Sequence, residues 1–210
     1  MTGVQTCALP ICAQMSIAFS DKEKEQIQKL LRESAWECAR TIGMKKTTVE
    51  QLTKAADISK GAFYLFYPSK EMLFFEVLEE LHTMIYSRAS EVLSESAALA
   101  TRERAARMLL ESCRLMEQSG MMLFWENDLP TLLRKLPDDV LREHYHDDET
   151  HIRALLEPLN PDGAIPSELV AATVRTLMLT ISHKKQIGKL YHQGLETLVH
   201  GACSQLFANG

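Results

Sequence analysis

Two sets of side chains in this 210-residue sequence have types and spacing that could do chemistry. The first is the run His144-Tyr145-His146-Asp147-Asp148-Glu149-Thr150-His151. His144, Asp148 and His151 fall on one helical face at i, i+4 and i+7, a spacing that could offer imidazole and carboxylate to a divalent cation. Such ligands must be turned inward and steadied by further partners. The density of charge in the run reads instead as a solvated polar helix face, so no metal site is expected. The second set is Cys38, Cys113 and Cys203, which are far apart and odd in number. They form neither a disulfide framework nor a zinc spacing, suit a reducing cytoplasm, and read as small buried apolar residues rather than redox sensors. The sequence has no Gly-rich phosphate loop, no nucleophile elbow and no paired-carboxylate context, so neither catalysis nor a cofactor is expected.

The densest local signal is Thr47 to Lys70, TTVEQLTKAADISKGAFYLFYPSK. Thr47 or Thr48 supplies a cap, and Val49, Leu52 and Ala56 then face a core. The small Ala55 and Ala56 let a second helix approach closely. Ser59 caps that helix after a turn at Asp57, and Pro68-Ser69 opens a third, with Ser69 as N-cap. Two short helices at a tight turn are the layout of a helix-turn-helix, whose second helix enters the major groove of DNA.

Thr47-Thr48-Val49, Ala55-Ala56, Asp57-Ile58, Ser59-Lys60-Gly61, Phe63-Tyr64 and Ser69-Lys70 together resemble the TetR family of one-component transcriptional regulators. The rest of the chain fits that family only in the length and order of its helices. The resemblance implies that Lys60, Gly61 and Ala62 begin the recognition helix nearest the bases. Lys60 would donate to guanine O6 and N7, Gly61 would allow close backbone approach, and the Ala62 methyl would meet a thymine methyl. It also implies that Tyr64 gives its hydroxyl to a phosphate. Lys70 and the free N–H groups of the following helix would form a second phosphate site. Thr47 and Thr48 would do the same at the preceding helix, with Lys45 and Lys46 close by. Ser59 completes the expected DNA-binding set, and Phe63 is expected in the core. There are two departures. Asp57 stands where the family usually has Gly, and tolerates positive φ less well than Gly. Phe66-Tyr67 stands where the family often has Tyr or His before Phe; Phe66 cannot hydrogen-bond a phosphate, so that contact is lost or moves to Tyr67.

Around this head, the spacing predicts an all-α chain of about nine helices. Residues 1–14 carry no charge and no periodicity, and the first eleven look like a translated sequencing adapter, with Met15 as the natural start. A signal peptide is the competing reading, but the basic n-region and a long apolar core are missing. Residues 15–67 are read as the DNA-binding domain (motif 47–66), and 68–210 as a helical domain for ligand binding and dimerisation. Met15 to Lys70 holds 10 Lys/Arg and 7 Asp/Glu, and the remainder 13 and 21. A chain that is acidic overall thus concentrates its positive charge where phosphates would sit. No apolar run is long enough to span a bilayer.

Ser20 with Glu23 has capping-box spacing and Gly43 is a left-handed stop, which together bound the first helix. The fourth helix, from Ser69, carries an apolar stripe broad enough to link both domains. Met84, Met108, Ser112, Met116, Phe124 and Trp125 are candidate lining for an apolar effector cavity. The two long C-terminal helices, from Ser167 and from about Leu190 with a basic connection at His183 to Lys189, are candidates for a four-helix homodimer interface. Thr173, Leu177, Thr180, Leu195, Leu198, Val199 and Ala202 would form it, or else would form a core within one chain. The expected partners are a double-stranded DNA operator, a small-molecule effector and a second copy. The functional expectation is a repressor on a palindromic operator, released by its ligand. The alternatives are a helical adaptor that does not bind DNA, and a redox- or metal-responsive regulator.

Overall fold

The computed structural model describes residues 19–160, 163 and 165–207. The leader, the start at Met15 and Pro161 lie outside the described residues. Every element among those described is helical. In order they are α1 (Asp21–Thr41), α2 (Val49–Ala55), α3 (Lys60–Phe63), α4 (Lys70–Glu95), α5 (Thr101–Gln118), α6 (Met122–Asn127), α7 (Leu129–Leu133), α8 (Asp138–Leu156), α9 (Ser167–Ile181), α10 (Lys184–Ile187) and α11 (Tyr191–Leu206). The stretch read from sequence as a basic connection contains the one-turn α10, closed by Gly188 at φ 81°.

Local chemistry sets the boundaries of the head. Ser20 Oγ accepts from Glu23 N while Glu23 Oε2 accepts from Ser20 N at 2.7 Å, a reciprocal cap on α1. Thr48 and Gln51 repeat the arrangement on α2. Ser59 Oγ accepts from Ala62 N at 3.1 Å, and Ser69 Oγ from Met72 N at 3.2 Å. Each cap satisfies one N–H that the helix itself cannot, a contribution of about 1 kcal/mol. α1 ends at Gly43, φ 81°, and the α2–α3 turn passes through Asp57, φ 52°. Asp57 thus occupies the left-handed conformation that the turn requires, at the residue where glycine was expected.

Behind these caps, Leu31 and Ala35 of α1, Leu52 of α2, Phe63 of α3 and Leu73, Phe74 and Val77 of α4 are fully enclosed. Burying each large side chain contributes about 1.5–3 kcal/mol. α4 belongs to both halves of the molecule. Its N-terminal turns complete the core of the head, and its later turns bury Leu81, Ile85, Ala89 and Val92 against α5 and the body. Phe74 stacks on Phe124 of α6 with centroids 6.0 Å apart, so the two cores are continuous. No helix among the described residues is long and apolar enough to cross a membrane.

Candidate nucleic-acid interface and cavity

The expected DNA-binding residues divide into those the fold leaves open and those it turns inward. Lys46, Thr48, Ser59, Lys60, Gly61 and Tyr64 are exposed, Tyr64 to 51 %. Thr47 is buried, and its hydroxyl donates to Gly43 O at 2.8 Å. Ala62 is buried on the inner face of the one-turn helix, so its methyl packs against the head rather than facing outward. Lys70 Nζ donates to Met44 O at 2.8 Å and Thr47 O at 2.7 Å. Its ammonium thereby ties the start of α4 to the α1–α2 loop. Thr47, Ala62 and Lys70, expected at the DNA, therefore each make internal contacts in this structure. Tyr67 does not take over for Phe66: it is buried and donates to Glu76 Oε2 at 2.7 Å. Burial and that carboxylate push the Tyr67 phenol well above its ordinary range. Phe63 is fully buried, as expected.

One residue absent from the sequence reading stands directly on this surface. Lys60 Nζ lies 2.7 Å from Glu50 Oε1. The pairing lowers the Glu50 carboxyl and raises the Lys60 ammonium relative to their ordinary values, through the hydrogen bond first. Both side chains are more than half exposed, so the pair is weak and exchangeable. No local spacing signals it, because ten residues and a turn separate the partners.

A second unforeseen group joins head to body. Asp128, at the junction of α6 and α7, is 2 % exposed. Its Oδ2 accepts from Met44 N at 2.8 Å and its Oδ1 from Lys45 N at 3.2 Å. Lys45 Nζ donates to Asn127 O beside it. The close approach needs Gly43: a Cβ there would sit 2.5 Å from Asp128 Oδ2. Lys135 and Glu71 add an ion pair at 2.7 Å between the end of α7 and the first turn of α4.

Inside the body, a largely apolar cavity of about 290 Å3 lies between α4, α8 and α9. Leu78, Met116, Trp125, Ile152 and Met178 line it, with His82, His144 and Asp148 at one end. Of the expected lining residues, Met116 and Trp125 border it. Met108, Ser112 and Phe124 are buried elsewhere in the core, and Met84 is 43 % exposed on the outside of α4. The polar end also corrects the reading of α8 as a solvated face. His144 is buried, with Nδ1 2.7 Å from Glu79 Oε1, and Asp148 accepts from Tyr86 Oη at 2.8 Å. Burial works against protonation of His144, yet the Glu79 hydrogen bond and the Asp148 charge outweigh it and raise its pKa. Burial likewise opposes ionisation of Asp148, and the adjoining His82 ring, 3.2 Å away, and the Tyr86 hydrogen bond hold it below its ordinary value all the same. His151 stays exposed, its ring stacked on Tyr86 with centroids 4.9 Å apart.

The expected dimer residues divide in the same way. Leu177, Leu195 and Val199 are buried within the chain, which is the internal-core alternative. Thr173, Thr180 and Ala202 are part-exposed, and Leu198 is 56 % exposed. Leu169, 50 % exposed, is a further open apolar residue on α9. Cys113 and Cys203 are buried thiols, pushed up to about 12 and about 11 by loss of solvent, and Cys38 is half-buried.

Comparison with known proteins agrees with this geometry. A family model described as bacterial regulatory proteins, tetR family, matches residues 31–77, from the middle of α1 into α4. The HTH-type transcriptional regulator YuxN of Bacillus subtilis (strain 168) is 39% identical over 67 residues, covering 32% of this chain and 22% of YuxN. YhgD of the same organism, also an HTH-type transcriptional regulator, is 29% identical over 100 residues, covering 48% and 52%. The chain therefore spans between about a fifth and about half of the length of the curated relatives it matches. The transcriptional regulator FadR of Bacillus subtilis, solved with stearoyl-CoA, shares the fold over 89% of this chain and 98% of its own, with a TM-score of 0.58 at 16% identity.

Proposed function

Since this chain belongs to the TetR family of transcriptional regulators, we propose that it is a ligand-released repressor that binds a palindromic operator as a homodimer. Residues 15–67 serve as the DNA-binding unit and 68–210 as the unit for effector and dimer. The observation that carries this reading is the exposed group of Lys60 and Gly61 at the start of α3 and Tyr64 at its C-cap, on a head with a surplus of positive charge. Lys60 leaves Glu50 to donate to a guanine edge, Gly61 lets the backbone close on the groove, and Tyr64, Thr48 and Lys46 hold phosphates. One such helix gives little affinity. Two heads, joined through the open faces of α9 and α11 around Leu169, Thr173 and Leu198, give a two-fold reader.

An effector in the cavity beside α4 would act through that helix, which runs from Ser69 in the head to the body. Two-state linkage requires the effector to favour the form that does not fit DNA. The lining favours a mainly apolar small molecule with one polar end. That FadR was solved with stearoyl-CoA, an apolar chain on a polar carrier, is in keeping with this class. The buried thiols of Cys113 and Cys203 weigh against redox control through those two residues.

Fluorescence anisotropy with labelled duplexes tests the reading. Binding should weaken steeply with salt, and Lys60→Ala with Tyr64→Phe should remove sequence preference while leaving the helical circular dichroism intact. Salt-independent binding, or none to any duplex, would favour the adaptor alternative.

A further inference from the structure

We propose that Glu79, His82 and His144, backed by Asp148, form a three-ligand divalent transition-metal site between α4 and α8. Glu79 and His82 sit at i and i+3 on α4, and His144 and Asp148 at i and i+4 on α8, so α4 supplies two donors and α8 one, with Asp148 beside it. One ligand atom each from Glu79, His82 and His144 lies within 4.8 Å of the others. Asp148 Oδ1 is 3.2 Å from His82 Nδ1 and Asp148 Oδ2 is 3.8 Å from His144 Nε2, on the far side of the His144 ring from Glu79, so Asp148 steadies the two imidazoles rather than joining the ligand group.

Ligand atoms around a tetrahedral ion at about 2.0–2.2 Å stand roughly 3.3–3.5 Å apart. The 2.7 Å contact between His144 and Glu79 must open slightly, and the widest pair must close by rotamer adjustment of both side chains. Asp148, held in place by the Tyr86 hydroxyl, orients the His82 and His144 rings as supporting carboxylates do around metal-bound histidines.

Three features point to a metal rather than to an ion-pair cluster alone. His82 Nδ1 is buried and has no well-formed hydrogen-bond partner, which is uncommon for a buried polar atom. One carboxylate and two imidazoles are a common donor set for a divalent ion that keeps an open coordination position. The group also opens on the cavity, which leaves room for a further ligand. Two imidazoles select Zn2+, Ni2+ or Co2+ over Mg2+ or Ca2+, which prefer oxygen throughout. An ion there would fix the middle of α4 to α8.

The test uses the full-length, tag-free chain, stripped with chelator and titrated with Zn2+ by calorimetry and with Co2+ by visible absorption. The expected result is one tight site per chain with the d–d bands of a four-coordinate cobalt centre. His82→Gln and His144→Gln should each weaken binding by about 100-fold or more, and Asp148→Asn by about 10-fold. Thermal unfolding of the metal-free variants checks that they are folded; if His144→Gln is not, His82→Gln at its more exposed position decides. No uptake of either ion, or equal uptake by the wild type and His82→Gln, would overturn the proposal. Because binding is read without DNA, the result is independent of whether the head recognises an operator.

Discussion

Asp128→Ala is the substitution that most directly tests how the head is held to the body. The carboxylate is 2 % exposed and receives the main-chain N–H groups of Met44 at 2.8 Å and Lys45 at 3.2 Å. Hydrogen bonds to a charged group are worth about 1.5–3 kcal/mol each, and a buried donor left alone incurs its full desolvation cost. Met44 N is buried and Lys45 N only partly so, so the second bond is discounted for water that can replace it. The sum is about 3 kcal/mol, which for a chain of this length lowers Tm by roughly 6–12 °C. Asp128→Asn should fall between, since its amide offers one acceptor and turns its NH2 toward the other donor. Gly43 supplies an internal check. Gly43→Ala combines left-handed strain of about 1–2 kcal/mol with a Cβ 2.5 Å from Asp128 Oδ2. In the Asp128→Ala background only the strain remains, so the two changes should be non-additive. Calorimetric unfolding measures the stability, and hydrogen exchange should show the Met44 and Lys45 amides losing protection. Tm within about 2 °C of the wild type, or strict additivity with Gly43→Ala, would refute the latch.

Three further outcomes follow from the same structure. Glu50→Gln removes the carboxylate 2.7 Å from Lys60, so duplex affinity should rise several-fold with a steeper salt dependence in anisotropy titrations; unchanged affinity would remove Glu50 from the DNA face. Iodoacetamide at pH 8, mapped by peptide mass spectrometry, should label Cys38 well before Cys113 and Cys203, whose thiols are buried and pushed up to about 12 and about 11; early labelling of Cys113 would contradict that burial. Glu111 accepts from Arg114 Nε at 2.7 Å and from Arg88 Nε at 3.1 Å, and hydrogen bonding to Arg114 first, then to Arg88, depresses its pKa to about 2 from an ordinary 4.5. Because the folded value is the lower one, its stabilisation is full above pH 4.5 and is lost as pH falls toward 2; Tm against pH for Glu111→Gln should converge on the wild type in that window, and parallel curves would exclude the contribution.

The head was legible because its determinants are local. Ser20 with Glu23, Thr48, Ser59 and Ser69 cap within three residues, and Asp57 marks the turn by its position between two helical runs. What escaped was set by distant partners. Neither the inward turn of Lys70, which bonds a loop 23 and 26 residues earlier, nor the carboxylate of Asp128, 84 residues from Met44, leaves a periodic trace. A charged residue between Phe124-Trp125 and Leu129-Pro130 was the available hint. Asp148 and His144 read as solvated because α8 carries polar residues on every side. Only the docking of α4, with Glu79 and His82, selects which of them are enclosed. Met84 falls at the edge of the stripe set by Leu81 and Ile85, and one step around the helix carries it to solvent.

Two copies of this head are proposed to read a two-fold DNA site through Lys60, Gly61 and Tyr64. Selection of bound duplexes from a random pool by the full-length chain tests it in one measurement. The expected result is an enriched palindrome with half-sites about one helical turn apart or a multiple of that, and its loss when Lys60 and Tyr64 are replaced by alanine. A pool without enrichment, or an enriched site that the double variant still selects, would contradict it.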